Sequence, residues 1–333
     1  MKGFFWVTVH LFPRPPVGSY PPGMSLLDTS VRVWLLDADP AIAWQVERDL
    51  IGAARSTWAA TQAKVADVGW GRRLLDERGD DGRWAGGLYS PKWISTTYTL
   101  LQLWRMGLPR DNAFAVASTD LLMTKPVWVF GLGAKARRDD CVAGFGLALS
   151  SWFTIPDDRR ERLVVEILDR QKSDGGWNCQ TGGAIQHSSF HTTINVIEGL
   201  REYCLSGGKL RSDVESAESQ AREFFCEHHL YRSHRTGRVP DDRMTRLPFP
   251  PRWHHDILRG LDYFRAAGAA PDDRLADPVE VLVGHRRADG KWPIHAGYSG
   301  QVWFRMESGR SPSRWNTLRA TRVLRWWGSG PLR

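Results

Sequence analysis

Cysteine is scarce in this chain of 333 residues, and its four cysteines lie far apart. They are Cys141, Cys179, Cys204 and Cys226, and no pair has the Cys-x-x-Cys spacing of metal or redox motifs. Small secreted domains that are stabilised by disulfides contain many more cysteines for their length. The sequence therefore predicts reduced thiols and a location in the cytosol.

Long apolar runs and blocks of one charge are also missing. No stretch approaches the roughly 20 apolar residues that span a bilayer, so we expect a soluble protein, with peripheral membrane contact left open. The formal net charge is +8, but basic and acidic residues are interspersed along the whole chain. Because there is no basic block and no motif known to read bases, we expect no nucleic-acid partner.

The amino terminus lacks the features of a secretory signal. Its apolar stretch is broken by His10, runs into Pro13, Pro15 and Pro16, and has no small-x-small cleavage site. We expect residues 1–23 to form a disordered, proline-rich extension. The remaining chain, with an apolar content of 42% overall, is long enough for one large core, so 24–333 is predicted to be a single domain.

One phrase occurs three times, in segments 74–84, 167–177 and 282–292. An aliphatic residue is followed after four positions by a long polar residue, then by a glycine, and finally by a tryptophan. The first two share one face of a helix, the glycine permits the left-handed turn that ends it, and the tryptophan folds back beneath the helix end. Self-similarity at about 45 residues or its multiples predicts stacked helical hairpins.

The fold class predicted from these patterns is all-α. Asp39-Pro40 marks a helix start, a second helix is predicted from Trp58 to about Asp76, and a later one from Trp253. The glycine-rich segments 125–138, 174–188 and 288–311 lack the alternation that predicts strands. We expect an (α/α)-barrel toroid of about five to six hairpins, in which the inner helices surround a cavity, rather than an open superhelix.

The phrase Gln171-x3-Gly175-Gly176-Trp177, with its two arginine-containing copies, resembles the repeat of squalene-hopene cyclases and protein prenyltransferase β subunits. The resemblance covers roughly residues 40–327. Segments 187–193, 233–237, 249–254 and 312–317 further resemble bacterial squalene-cyclase-like proteins of unassigned activity. This resemblance implies a single terpene-cyclase-like toroid that handles a hydrophobic isoprenoid substrate.

Asp139 and Asp140 begin a predicted inner helix, where the resemblance implies the acidic motif of class II terpene cyclases. In those enzymes a protonated carboxyl group donates a proton to an alkene or epoxide, and no cofactor is needed. Arg137 stands where that motif has its first aspartate, and its charge is expected to lower the pKa of the acid. Protonation in an aromatic-lined cavity is the leading functional hypothesis.

Asp139-x-Cys141, followed by His191, resembles the zinc site of protein prenyltransferases instead. Carboxylate, thiolate and imidazole are all zinc ligands, and a site with three of them leaves one position open. A zinc-dependent, prenyltransferase-like enzyme is therefore the alternative. In a purely structural interpretation, an aspartate caps the helix, Cys141 fills the core, and His191 bonds to the backbone.

Further candidates lie near other predicted helix starts. His254 and Asp256 are candidate general acid/base residues, although Asp256 and Arg259 can also form a pair on the helix surface. Aromatic and imidazole side chains are expected to line the substrate cavity, where they can stabilise a cation or stack on a sugar: Trp93, Tyr98, Phe145, His187, Phe190, Trp253, Trp303 and Trp315. A carbohydrate-active toroid and a non-catalytic binding protein remain open as functions.

Overall fold

The computed structural model describes residues 27–130, 137–155, 158–180 and 186–329. The predicted extension 1–23 lies outside these residues. The described chain is 56% helical, which confirms the all-α prediction. The α-helices are α1 Thr29–Leu36, α2 Pro40–Val46, α3 Arg55–Ala63, α4 Gly69–Asp76, α5 Thr96–Met106, α6 Ala113–Thr124, α7 Asp140–Trp152, α8 Arg159–Leu168, α9 Phe190–Leu205, α10 Arg211–Glu227, α11 Ile257–Ala266, α12 Ala276–Gly284 and α13 Arg314–Gly328.

Short irregular elements complete the described chain. A π-helical turn, Glu47–Ile51, continues α2, and 3₁₀ turns occur at Lys64–Ala66, Asp242–Thr245 and Asp273–Leu275. Two antiparallel strand pairs were not predicted. They are β1 Val129–Phe130 with β2 Arg137–Arg138, and β3 Trp292–Pro293 with β4 Pro312–Ser313. At two residues each, these strands are too short to give a recognisable alternation in the sequence.

Two predicted helices have different bounds in the structure. The helix expected from Trp58 to Asp76 is divided into α3 and α4, because the 3₁₀ turn and Gly69, at φ +70°, redirect the chain. The helix expected from Trp253 begins only at Ile257, where Asp256 caps it. The start at Asp39-Pro40 is confirmed, since the Asp39 carboxylate accepts a hydrogen bond from the backbone nitrogen of Ala41 at 2.9 Å.

The three copies of the repeated phrase adopt the same hydrogen-bonded geometry. In each copy the indole Nε1 donates to the backbone oxygen of the aliphatic residue ten positions earlier, at 2.6, 2.8 and 2.8 Å in chain order. The glycine two positions before each tryptophan has a φ of +79°, +90° or +78°. Trp84, Trp177 and Trp292 are all fully buried. The predicted turn and the folding back of the tryptophan are therefore present in every copy.

Each of these tryptophans is also held by a threonine at the start of a later helix. The backbone nitrogens of Trp84, Trp177 and Trp292 donate to threonine Oγ1 atoms at 3.1, 3.1 and 3.0 Å. The acceptors are Thr96 in α5, Thr193 in α9 and Thr317 in α13. The phrase therefore ties the end of one helix to the first turns of another.

One hydrophobic cluster runs from Val31 to Trp327 and includes residues of most helices. Helices α7 and α9 approach each other closely, and a Cβ atom at Gly144 would lie 2.4 Å from the backbone oxygen of Asn195. Helix α5 contacts α7, which contacts α9; helix α11 contacts α13, which contacts α2. Trp44 of α2 donates to the backbone of Met106 at the end of α5 at 2.8 Å.

Within the part of the chain that the structure describes, no helix combines the length and the apolar character needed to cross a membrane.

We predict that Thr193→Val lowers the free energy of unfolding by about 1–3 kcal/mol, because the buried backbone nitrogen of Trp177 loses its acceptor while the side-chain volume is kept. The matched control is Thr61→Val, whose hydroxyl is exposed and makes a 3.4 Å contact, with an expected change within about 0.5 kcal/mol. Urea denaturation of both variants measures the difference. Equal losses would show that the threonine does not hold the tryptophan.

Candidate functional site

Two thiols and a carboxylate converge at the start of α7. The Cys179 sulfur lies 2.9 Å from Oδ1 of Asp139 and 3.0 Å from the sulfur of Cys141. The three potential ligand atoms all lie within 4.8 Å of one another. Asp139, Cys141 and Cys179 are called the thiol–carboxylate cluster below. All four cysteines of the chain are free thiols, so these two are not joined by a disulfide.

Two helix starts and one copy of the repeated phrase position this cluster. Asp139 caps α7 by accepting a hydrogen bond from the nitrogen of Val142 at 3.3 Å, and Cys141 is in the first turn. Cys179 follows the buried Trp177 by two residues, and its backbone nitrogen donates to Oγ1 of Thr192 in α9 at 3.3 Å. The repeat geometry therefore carries the Cys179 sulfur to the first turn of α7.

The electrostatics of the cluster favour a proton or a cation. Contact with Cys141, burial and the carboxylate of Asp139 together raise the pKa of the Cys179 thiol well above its ordinary value. The Cys179 thiol accordingly donates to Asp139, while its sulfur also accepts from the backbone nitrogen of Cys141 at 3.3 Å. The Cys179 thiol can lose its proton readily only when a positive ion compensates the negative charge.

His191, predicted as the third metal ligand, is not a member of this cluster. Its Nδ1 accepts a hydrogen bond from the backbone nitrogen of His255 at 2.8 Å, and its ring lies edge-on to those of Trp253 and His254. Burial lowers the pKa of His191 to about 4. His187 is exposed, and its Nδ1 lies 3.1 Å from the backbone oxygen of Ser188. Cys179 occupies the third position instead.

Asp140, the other predicted proton donor, is buried and paired with an arginine. The Nε and Nη2 atoms of Arg170 lie 2.5 and 3.3 Å from its two oxygens. Burial raises the pKa of Asp140, while the hydrogen bond and charge of Arg170 oppose that shift. Such a bidentate pair favours the ionised carboxylate. The side chain of Arg137, expected to influence this acid, lies outside the described part of the chain.

Asp256 is fully buried and does not form the surface pair with Arg259 that was considered. Its Oδ1 accepts from the backbone nitrogen of Arg259 at 2.8 Å, whereas the Arg259 guanidinium pairs with Glu198 at 2.7 Å. Its Oδ2 has no hydrogen-bond partner among the described residues, and burial raises its pKa. His254 is stacked between Trp253 and Tyr298, with ring centroids 3.6 and 3.5 Å away.

The predicted cavity aromatics are spread over several packing clusters. Tyr98 contacts both Trp93 and Phe145, with ring centroids 4.9 and 6.3 Å apart. Phe190 packs against Phe224, Phe225, His228 and His255. The indole nitrogen of Trp303 donates to Thr99 at 3.1 Å.

Two of the cavities in the structure have volumes of about 540 and 460 Å³. Phe249 and Trp315, whose rings stack with centroids 4.1 Å apart, line both cavities. Of the eight residues predicted to line a cavity, Trp315 lines these two and the other seven line neither. The smaller of these two cavities is lined by many arginines, which were not among the residues predicted from the sequence. The charged residues that recur on one face of α9 and α13 are the sequence signal from which this cavity could have been predicted.

Comparison with protein-family models finds no family that matches the chain, and no curated protein matches it significantly.

We predict that the free energy of unfolding falls as the pH falls below about 6.5. Burial lowers the pKa of His254 and His255 to about 3 and that of His191 to about 4, from an ordinary value of 6.5. In this range the unfolded chain binds protons that the folded chain does not, so acid favours unfolding.

His254→Phe tests one of these groups, because phenylalanine keeps a ring between Trp253 and Tyr298 but cannot titrate. Urea denaturation at a series of pH values between about 8 and 4.5 should give a shallower pH dependence for the variant than for the wild type. Identical slopes would mean that His254 does not contribute to the acid sensitivity.

Proposed function

We propose that this chain is a zinc-dependent enzyme that acts on an isoprenoid substrate and is built as a closed ring of helical hairpins. The observation that carries the proposal is the convergence of Asp139, Cys141 and Cys179 within 4.8 Å. The isoprenoid substrate class rests on the resemblance of the repeated phrase to that of squalene-hopene cyclases and prenyltransferases. The free thiols fit a protein of the reducing cytosol.

The contacts between helices support a closed ring. Helices α5, α7 and α9 pack in succession, as do α11, α13 and α2. The two series are joined by the ion pair between Glu198 of α9 and Arg259 of α11, and by the hydrogen bond from Trp44 of α2 to the end of α5. A path through these helices thus returns to its starting point, as in a ring whose inner layer they form.

The ligand chemistry of the cluster fits zinc. Thiolates and carboxylates bind zinc well, and softer thiolate ligands favour it over magnesium or calcium. A zinc ion held by three protein ligands would activate a thiol or hydroxyl group of a substrate at its open position. Asp139 and Cys141 would be held in place by α7, and Cys179 by Trp177 and Thr192.

Protonation of an alkene is the second candidate, with Asp256 rather than Asp139 or Asp140 as the acid. The ion pair with Arg170 favours the ionised form of Asp140, and Asp139 accepts hydrogen bonds from Val142 and Cys179. Asp256 is fully buried, has one oxygen without a described partner and has a raised pKa. Burial and a raised pKa are the properties expected of a general acid.

We predict about one zinc ion per chain in protein purified without a histidine tag. Cys179→Ser should lose most of this zinc, because a neutral hydroxyl replaces one of the thiolate ligands. Elemental analysis measures the content, and cobalt substitution adds the thiolate-to-metal absorption bands as an independent readout. Cys226→Ser is the matched control, since Cys226 is also a free cysteine but is not part of the cluster.

A third variant, His191→Ala, distinguishes the two possible ligand sets. It should keep the zinc if Cys179 is the third ligand, whereas loss in His191→Ala and retention in Cys179→Ser would restore the set predicted from the sequence. Wild-type protein without any bound metal, even after reconstitution with zinc under reducing conditions, would contradict the metal function altogether.

The substrate class requires its own experiment. Incubation of the zinc-loaded protein with prenyl diphosphates and a small thiol should give a prenylated thiol, with release of inorganic pyrophosphate and the thiol proton. Cys179→Ser should reduce its formation by at least about a hundredfold. Mass spectrometry of the products measures this. If turnover persists in Cys179→Ser and is lost in Asp256→Asn, protonation is the correct function. Neither turnover nor a change in melting temperature with any isoprenoid would contradict both candidates.

A further inference from the structure

The smaller cavity, of about 460 Å³, has an unusually basic lining. Eight arginines and four carboxylates line it, a formal excess of four positive charges. The arginines are Arg48, Arg105, Arg110, Arg201, Arg259, Arg265, Arg319 and Arg322, and the carboxylates are Asp49, Glu198, Glu202 and Asp262. This space is called the arginine-lined cavity below. None of the residues of the thiol–carboxylate cluster belongs to its lining.

The four carboxylates are already used by six of the arginines. Glu198 pairs with Arg105 and Arg259, Asp262 with Arg265 and Arg322, and Asp49 with Arg48 and Arg322. The fourth carboxylate, Glu202, lies 3.7 Å from Arg110, and burial raises its pKa to about 7. Its negative charge is therefore incomplete at neutral pH, which increases the positive excess.

Arg319 and Arg201 remain without an ion pair or hydrogen bond to any residue in the described ranges. Arg319 is only 5% exposed, and its Nη1 atom is completely buried without a hydrogen-bond partner. The ring of Phe249 lies 5.7 Å from its guanidinium carbon, and the carboxylates of Asp256 and Asp262 act on it only through space. A buried guanidinium without a bonded partner is costly, and a bound anion would remove that cost.

Helix dipoles do not account for Arg319. A cation in the last turn of a helix is stabilised by the partial negative charge there, which explains Arg105 and Arg265 at the ends of α5 and α11. Arg319 lies near the middle of α13, whose residues are Arg314–Gly328, and the dipole acts only within the terminal turns. Arg319 is therefore opposed only by the through-space charges of Asp256 and Asp262, and it has no directly bonded partner among the described residues.

We propose that the arginine-lined cavity binds a small-molecule polyanion that carries phosphoryl or carboxylate groups, with Arg319 and Arg201 as its direct partners. Guanidinium groups bind both kinds of oxyanion through paired hydrogen bonds. The volume of about 460 Å³ is within the usual range of small-molecule sites. The cavity is open to solvent at Leu205, which is 54% exposed, and at Arg110, whose side chain is 42% exposed.

Titration calorimetry with inorganic pyrophosphate and with citrate tests the site and separates the two ligand classes. At least one of them should bind at about one ion per chain, and Arg319→Gln should weaken this binding by about tenfold to about a hundredfold. The matched control is Arg325→Gln, which changes an arginine of the same helix that does not line the cavity. Its affinity should equal that of the wild type.

A stability measurement separates binding from a structural role. Without an anion, Arg319→Gln should be as stable as the wild type or more stable, because it removes an unpaired buried charge. If Arg319→Gln does not fold, Arg201→Gln provides the same binding test, since Arg201 is only partly buried. A destabilised Arg319→Gln with unchanged anion affinity would assign Arg319 to the fold and overturn the proposal.

The same titrations in Cys179→Ser show whether pyrophosphate or citrate binds instead to a metal ion held by the thiol–carboxylate cluster. Binding that persists in this variant and is lost in Arg319→Gln supports the arginine-lined cavity, whether or not the chain proves to bind zinc. Binding that disappears in Cys179→Ser, or that is equal in Arg319→Gln and Arg325→Gln, contradicts it. So does the absence of binding by both anions up to about 1 mM, a concentration at which even weak sites are occupied.

Discussion

The hydrogen bond from a buried indole to the last turn of a helix is the interaction on which the rest of this structure depends. It occurs three times, and each time the tryptophan backbone is also held by a threonine at the start of a later helix. A helix end has carbonyl groups that lack partners within the helix, and the indole satisfies one of them where water is excluded. The same residue thus ends one helix and positions the next.

This connection also determines where chemistry is placed. Cys179 comes two residues after Trp177, and Thr192 comes one residue before the threonine that holds that tryptophan. Their positions are therefore set by the same bond that joins α8 to α9. The close contact between α7 and α9, which requires a glycine at position 144, then brings Asp139 and Cys141 against them. The site is a consequence of the architecture and not a loop added to it.

Local signals in the sequence predicted local structure well. The left-handed glycines, the cap at Asp39 and the returning tryptophans follow from interactions within about ten residues, and each has a distinctive residue pattern. Cys179 was not predicted as a ligand because it is 38 residues from Cys141, and no spacing rule covers that separation. The helix predicted from Trp58 to Asp76 failed because nothing in its apolar pattern indicates the reversal at Gly69.

The predicted aromatic cavity illustrates a different limit. Tryptophans near helix starts are expected in a core as well as in a binding site, and pattern alone does not separate these roles. The stacked rings of Phe249 and Trp315 line both cavities, so they form part of a wall that the two cavities share. A substitution at either ring consequently reshapes both cavities at once.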